Sequence, residues 1–444
     1  MMLIHAGRKS NRLRYILDHL FSELLGTEIE LTTDADVYAA FEGPKMHYGK
    51  ERIDDSFFMR AHSLLFEEGL RHPEPLVFEY EESHAIFRTT SSDWPFDLFA
   101  AAFFLLSRYE EYMPFIRDAH GRFPADQSLA YKNGFLQLPV VDIWAAHFKA
   151  FLKKKFPSLH FKEKEYRFTP TFDIDIAWSY LHKGVLRNFG GFMKAALTGN
   201  VKDFYYRAAT LLHVKPDPYF TYDYLLALQR SFKLNPLYFI LIGDFDEYDK
   251  NISHTEPAFR VLIKHLDDIA RVGLHPSYAS NRKPEKLEKE KQRLEEIIHR
   301  KVDDSRQHYL MLEFPASYER LLAAGIRNDY TLGYTTHMGF RAGTCTPFYF
   351  YNLQLEQKTD LRLHPFALMD ANFRYYMDIS PSEVLAKAKP VIDAVRRVNG
   401  SLYTLWHNNS FSEVFEWKGW RAAFEDIVKY ANPEKTNKPQ EYDT

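Results

Sequence analysis

Two carboxylates stand two residues apart in Thr171-Phe172-Asp173-Ile174-Asp175, and two histidines end short apolar runs: His275 after Gly273-Leu274, and His407 after Leu402-Tyr403-Thr404-Leu405-Trp406. In an extended strand Asp173 and Asp175 share a face, and at the strand's C-terminal end both reach an open pocket. Like charges this close need a reason to stay together. A divalent metal supplies one, taking one carboxylate as a ligand and leaving the other as a base on water. A lone Asp-x-Asp has a plainer reading, in which one Asp caps the next helix and the other is solvated. Histidines at two equivalent strand ends add weight to the metal, so the set points to metal-assisted hydrolysis. A third histidine, His308, lies in Ser305-Arg306-Gln307-His308-Tyr309-Leu310, beside an arginine able to pair with a carboxylate.

Such residues need strands that end at one place. From Tyr166 onward the hydrophobic pattern alternates strand and helix: a strand over 168–172, a helix over Tyr222–Phe232, a strand over 237–242, a helix over 258–271 and a short strand over 272–274. This predicts an α/β fold with parallel strands and helical crossovers. The run 284–300, with interleaved Glu and Lys, predicts a helix with a solvated outer face.

The length of 444 residues exceeds what one core usually serves, so two domains are expected. Phe156-Pro157 and the polar run Lys162-Glu163-Lys164-Glu165 mark the boundary, giving an N-terminal unit over 1–160 and a second over 165–435. The first unit predicts a strand at Met2-Leu3-Ile4, an amphipathic helix over 10–25, strands near 77–80 and 85–88, and a buried helix beginning near Pro95. Ser107-Arg108-Tyr109-Glu110-Glu111-Tyr112 follows that helix. Its charges read as meeting water or capping carbonyls, with an interdomain contact or a binding site as the alternative. Asp118-Ala119-His120-Gly121-Arg122-Phe123 reads as a turn. In Gly339-Phe340-Arg341-Ala342-Gly343-Thr344, Arg341 either binds an anionic substrate group or sits in a tight turn that needs two glycines. His337 and His364 read as surface or loop histidines without a role.

Lys plus Arg number 57 against 60 Asp plus Glu, a formal charge of −3, so no basic excess exists to grip a phosphate backbone and nucleic acid is not an expected partner. The single cysteine, Cys345, excludes an internal disulfide and a thiolate cluster. No apolar run is long enough to span a bilayer, and the first residues lack a secretory pattern, so no membrane insertion is expected and a cytoplasmic location is.

The order of the segments resembles the polysaccharide deacetylase superfamily (NodB-like, carbohydrate esterase family 4), and the whole chain resembles a two-domain branch of it common in Bacteroidetes. The resemblance implies a distorted (β/α) barrel of about seven strands, preceded by a smaller mixed α+β N-terminal domain. It implies that Asp173 is the general base, Asp175 and His275 are metal ligands, Arg306 orients the base, and His407 is the general acid. Asp329-Tyr330-Thr331 is similar to the segment that follows the arginine. The family motif His-Ser/Thr-x-x-His is only half present, because Ala279 stands where its second histidine belongs. His308 shares a face with Arg306 if that segment is extended and offers a replacement imidazole; the alternative is simple packing. The implied cofactor is a divalent metal, expected to be zinc. The implied reaction removes an N-acetyl or related acyl group from a carbohydrate or a nucleotide- or lipid-linked sugar precursor. Two other readings stay open: a metal-free, noncatalytic carbohydrate-binding or scaffold protein with a degenerate barrel, and an amidohydrolase acting on a non-sugar C–N bond.

Overall fold

Two largely parallel sheets organise the chain in this computed structural model, which describes residues 1–432. The predicted domain end at 435 lies outside the described residues. The first sheet has the order β2-β1-β3-β4, all pairs parallel, from β1 (Met2–Ala6), β2 (Ile29–Thr32), β3 (Lys45–Gly49) and β4 (Phe57–Arg60). Only β1 was legible in the sequence. The others are four or five residues long and mix charged with apolar side chains, so they carry no clean period of two. A small antiparallel hairpin, β5 (Phe78–Tyr80) and β6 (Ser83–Ala85), occupies the predicted strand region near 77–88.

The helix predicted over 10–25 begins at Asn11, because the Ser10 hydroxyl accepts from the Leu13 N–H. It ends at Gly26, whose φ of +69° suits glycine. The apolar run becomes the helix Leu98–Leu106, buried on every side. Asp97 caps it through the Ala100 N–H and also accepts the Tyr48 hydroxyl at 2.7 Å, tying the helix to β3.

The second sheet has nine strands in the order β12-β13-β11-β10-β9-β8-β7-β15-β14. They are β7 (Arg167–Ile174), β8 (Leu237–Leu241), β9 (Arg271–His275), β10 (Asp304–Ser305), β11 (Asn328–Asp329), β12 (Phe348–Asn352), β13 (Gln357–Leu363), β14 (Leu368–Met369) and β15 (Ser401–His407). All pair in parallel except β12 with β13. Among the described residues no strand pairing joins β14 to β12, so the sheet is mixed α/β with two more strands than expected and no barrel closure by hydrogen bonds. Three of the nine, β10, β11 and β14, are two residues long and leave no periodic signature in a sequence.

One apolar cluster runs from Ile4, Phe21 and Phe99 beside the first sheet to Val272, Trp406 and Phe424 in and beside the second. The same junction carries buried charge. Glu111 accepts from Arg108 Nε at 2.8 Å and from Arg341 Nε and Nη2 at 2.8 and 2.5 Å, while Arg108 also donates to Glu110 at 2.8 Å. The expectation that Arg108, Glu110 and Glu111 meet water is therefore overturned: they pair with one another and with Arg341 in the interior. Arg341 is spent on Glu111 and the Gly333 carbonyl, so it is not free to hold a substrate anion. Their opposite charges neutralise each other where water is excluded. His364, read as a surface or loop residue, is buried and stacks on Tyr330 with ring centroids 4.3 Å apart. The predicted charged helix is Pro284–Ile298, but Glu290 faces inward and accepts the Ser277 N–H at 2.9 Å and its hydroxyl at 2.6 Å.

Candidate active site

The C-terminal ends of β7, β9, β10, β14 and β15 converge on one cleft of about 370 Å³. Register explains the convergence: β7 pairs with β15 so that Asp173 lies opposite His407, and β8 pairs with β9 so that Leu241 lies opposite His275. Ligands gather at this end of parallel strands because the chain there turns away and frees side chains. Asp173, Asp175, His275, His308 and His407 all line the cleft.

Arg306 lies beneath it, fully buried. Its Nη1–H donates to Asp173 Oδ1 at 2.8 Å and its Nε–H to the Tyr330 carbonyl at 3.0 Å. The guanidinium rests on the Phe239 ring, 4.5 Å from the centroid. That ring in turn needs Gly273. A Cβ there would lie 2.8 Å from the Phe239 ring and 2.9 Å from the Asp304 carbonyl, so any larger residue would displace the support of Arg306.

Asp175, His275 and His308 offer ligand atoms within 4.8 Å of one another, a possible three-residue metal site. The hydrogen bonds around them leave the right atoms free. His275 Nδ1–H donates to the Arg306 carbonyl, so its Nε2 lone pair faces Asp175 Oδ1 at 3.1 Å. His308 Nδ1–H donates to Asp249 Oδ1 at 2.8 Å, and its Nε2 faces Asp175 Oδ2 at 3.5 Å. Asp175 Oδ1 is buried and accepts no hydrogen bond. Lone pairs that face each other at these distances repel unless a cation or a proton sits between them. One carboxylate and two imidazoles fit a divalent metal, the three-ligand set of hydrolytic zinc sites, each imidazole oriented from its far nitrogen. In the metal-free protein a proton takes that place. Burial alone would lower the His308 pKa, but Asp175 and Asp249 raise it to about 9. Asp175 is correspondingly held well below the carboxylate range: burial would raise it, and His308 and His407 overcome that.

Strand pairing stops at Ser305, but Gln307 is still extended, and His308 then opens a short turn in which Tyr309 has a φ of 59°. The imidazole reaches Asp175 from that turn, which is held in place by the His308 backbone N–H donating to the Pro276 carbonyl at 3.0 Å. Ala279 sits in another short turn, where its N–H and that of Tyr278 donate to Asp249.

His407 faces the cleft from β15. Its Nδ1–H donates to Asp370 Oδ1 at 2.8 Å, and its Nε2 lies 3.7 Å from Asp175 Oδ2. Burial would lower its pKa, but Asp370 first and Asp175 next raise it to about 10. Asp370 is itself fixed by the His407 N–H and the Ser410 hydroxyl.

The structure thus gathers Asp173, Asp175, His275, Arg306, His308 and His407, and leaves Arg341, Asp329, His337 and His364 outside. Asp329 is turned inward onto Ser305 and Thr331. Two residues at the site were missed. Asp370 directly follows the two-residue strand β14, and Asp249 lies in the loop after β8. Neither carries a local signal. Arg122, from the segment read only as a turn, also lines the cleft, held by Asp118 at 2.7 Å and the Tyr309 carbonyl at 2.6 Å.

The model of a family of unknown function, DUF7033, matches residues 2–157. No curated protein matches the chain. Among solved structures, a putative polysaccharide deacetylase from Mycobacterium smegmatis is similar at 15% identity and a TM-score of 0.41, over 62% of this chain and 86% of that one. The polysaccharide deacetylase Bc1974 from Bacillus cereus is similar at 12% identity and a TM-score of 0.31, over 63% and 95%. The allantoinase PuuE is similar at 12% identity and a TM-score of 0.36, over 60% and 84%. Likeness this low carries no weight for function, which falls on the side chains alone.

Proposed function

We propose that the protein is a metal-dependent hydrolase that removes an N-acetyl or related acyl group from a carbohydrate or sugar precursor. The observation that supports it best is the pairing of two differently held carboxylates in one cleft: Asp173 clasped by Arg306, and Asp175 set against two imidazoles whose far nitrogens are already occupied. In this reading Asp175, His275 and His308 hold a divalent metal, expected to be zinc, which when bound supplies a Lewis acid and lowers the pKa of water toward ~7.

The chain's own residues do the rest. Arg306 pairs with Asp173 and fixes its Oδ1, leaving Oδ2 to take a proton from the attacking water. His407, held protonated by Asp370, gives its Nε2 proton to the departing amine nitrogen. The aromatic wall of Tyr309, Tyr375, Tyr376 and Trp417 offers apolar faces to a sugar ring. The division into units 1–160 and 165–435 belongs to the same reading; two separate sheets and a family match ending at 157 support it.

The test is a panel of N-acetylated sugar precursors assayed for released acetate, with metal content measured on the same protein. Release that vanishes in Asp173→Asn while the metal stays supports the assignment. Stoichiometric metal with no release from any sugar, but cleavage of a small cyclic amide, moves it to the non-sugar alternative. Protein that binds no divalent metal at all is the noncatalytic reading.

A further inference from the structure

The helices Gly184–Leu197 and Val201–Leu211 leave a large apolar surface uncovered. Val185, Leu186, Phe189, Met193 and Leu197 recur at the spacing of one face of the first helix, and Leu186 is 87% and Leu197 81% exposed. On the second helix Val201, Phe204 and Tyr205 are also exposed, and Leu212 follows at its end. Isolated exposed apolar residues are ordinary. A set of this size on adjoining helices marks a contact surface. Only Asn188, Ala195, Ala209 and Thr210 of the pair are buried, so the rest of the fold covers little of it.

Charge decides what covers it. Between residues 183 and 215 there are six Lys or Arg against one Asp, in a chain whose overall charge is −3; Arg187 and Arg207 are engaged within the fold, which leaves four lysines. Lys194 and Lys202 are exposed beside the apolar faces. A second copy of the chain would set this positive patch against itself. An apolar face flanked by Lys and Arg is the composition of a helix that lies in an anionic lipid interface. The pair also adjoins the cleft. Arg187 donates to the Lys250 and Asn251 carbonyls at 2.8 and 3.1 Å, and Tyr206 packs on Phe415 with centroids 5.3 Å apart, while Lys250 and Trp417 line the cleft.

We propose that this helical pair docks the protein on an anionic phospholipid surface, with its apolar face among the acyl chains and its basic side chains on the headgroups. Among the described residues no helix is long and apolar enough to cross a membrane, so the contact is interfacial. It stands independently of the hydrolase reading.

The experiment is co-sedimentation of the full chain with vesicles of phosphatidylcholine, with and without phosphatidylglycerol. The expected result is binding to the mixed vesicles, weak binding to the neutral ones, and release as salt rises from about 0.1 M to about 1 M. The double variant Leu186→Asp with Leu197→Asp should partition at least about tenfold less, since each leucine loses its apolar burial. Lys194→Glu with Lys202→Glu should weaken binding to the anionic vesicles only. Both pairs are exposed, so the melting temperature should not move, and acetate release from a soluble substrate, if any is found, should persist. Failure of the unaltered protein to sediment with anionic vesicles overturns the proposal, as does equal binding by the leucine variant. A concentration-dependent dimer that the leucine variant abolishes, without vesicle binding, assigns the face to a second copy instead.

Discussion

His308 and Asp249 are joined Nδ1 to Oδ1 at 2.8 Å, and that bond aims the other imidazole nitrogen at Asp175. The same aspartate accepts the Tyr278 and Ala279 N–H groups, so it fixes the turn that holds Ala279 as well as the imidazole. Burial would raise its pKa, but His308 and these N–H groups bring it below the usual carboxylate range. Asp249→Ala should therefore weaken divalent metal affinity by roughly 10- to 100-fold, the usual effect of losing a partner behind a ligand. Zinc titration calorimetry checks this, and an unchanged affinity removes His308 from the ligand set.

Metal uptake should release a proton near pH 7.5. His308 is held protonated by Asp175 and Asp249 in the metal-free protein, with a pKa of about 9, and a ligand must give up that proton. Calorimetry in buffers of different ionisation enthalpy should report about one proton released. His308→Gln should show release near zero.

Asp370→Asn should move the alkaline limb of kcat/KM. Asp370 is the strongest of the charges holding the His407 pKa at about 10, and removing it brings that value down toward its ordinary ~6.5. The His407 proton is then lost at lower pH, so activity at pH 8 falls by roughly 30-fold while activity at pH 6 falls less. A profile that keeps its shape contradicts His407 as the acid.

Glu290→Gln should change how stability depends on pH. Burial raises the Glu290 pKa to about 7, against the Ser277 hydrogen bonds that lower it. The folded state therefore holds this proton more tightly than the unfolded chain. The contribution is full below the unfolded value of ~4.5 and is lost as pH rises through about 7. Relative to the parent, the variant should gain on the order of 3 kcal/mol between pH 4.5 and pH 8. Urea unfolding at several pH values checks it, and parallel curves would refute it.

Arg341→Met should cost about 3–5 kcal/mol of stability, because it leaves Glu111 buried with only Arg108 for a partner. The site side chains should remain in place, so metal affinity should change little. If instead substrate affinity fell with no loss of stability, the anion-binding role given up for Arg341 would return.

Much of the chemistry is readable in the residues themselves. Asp173 and Asp175 announce themselves because a strand repeats every two residues, and His275 and His407 because each ends an apolar run that must be a strand. The helix Tyr222–Phe232 was legible for the same reason of periodicity, and Leu98–Leu106 because its run is apolar nearly all round. Periodicity is local, and it fails where elements are two residues long. Asp370 behind His407 depends on β14, and the turn that delivers His308 depends on contacts with Pro276 and Asp249 far away in the chain.

The sequence by itself determined which side chains were available to bind a cation and move protons, because residue type and strand spacing are written in it directly. Only the tertiary structure decided which nitrogen of each histidine is free, that Asp249 and Asp370 stand behind two of them, and that Arg341 spends its charge on Glu111 rather than on a ligand. Each of those outcomes is a pairing between residues distant in the chain, and folding must bring both partners out of water before their charges and lone pairs can choose one another.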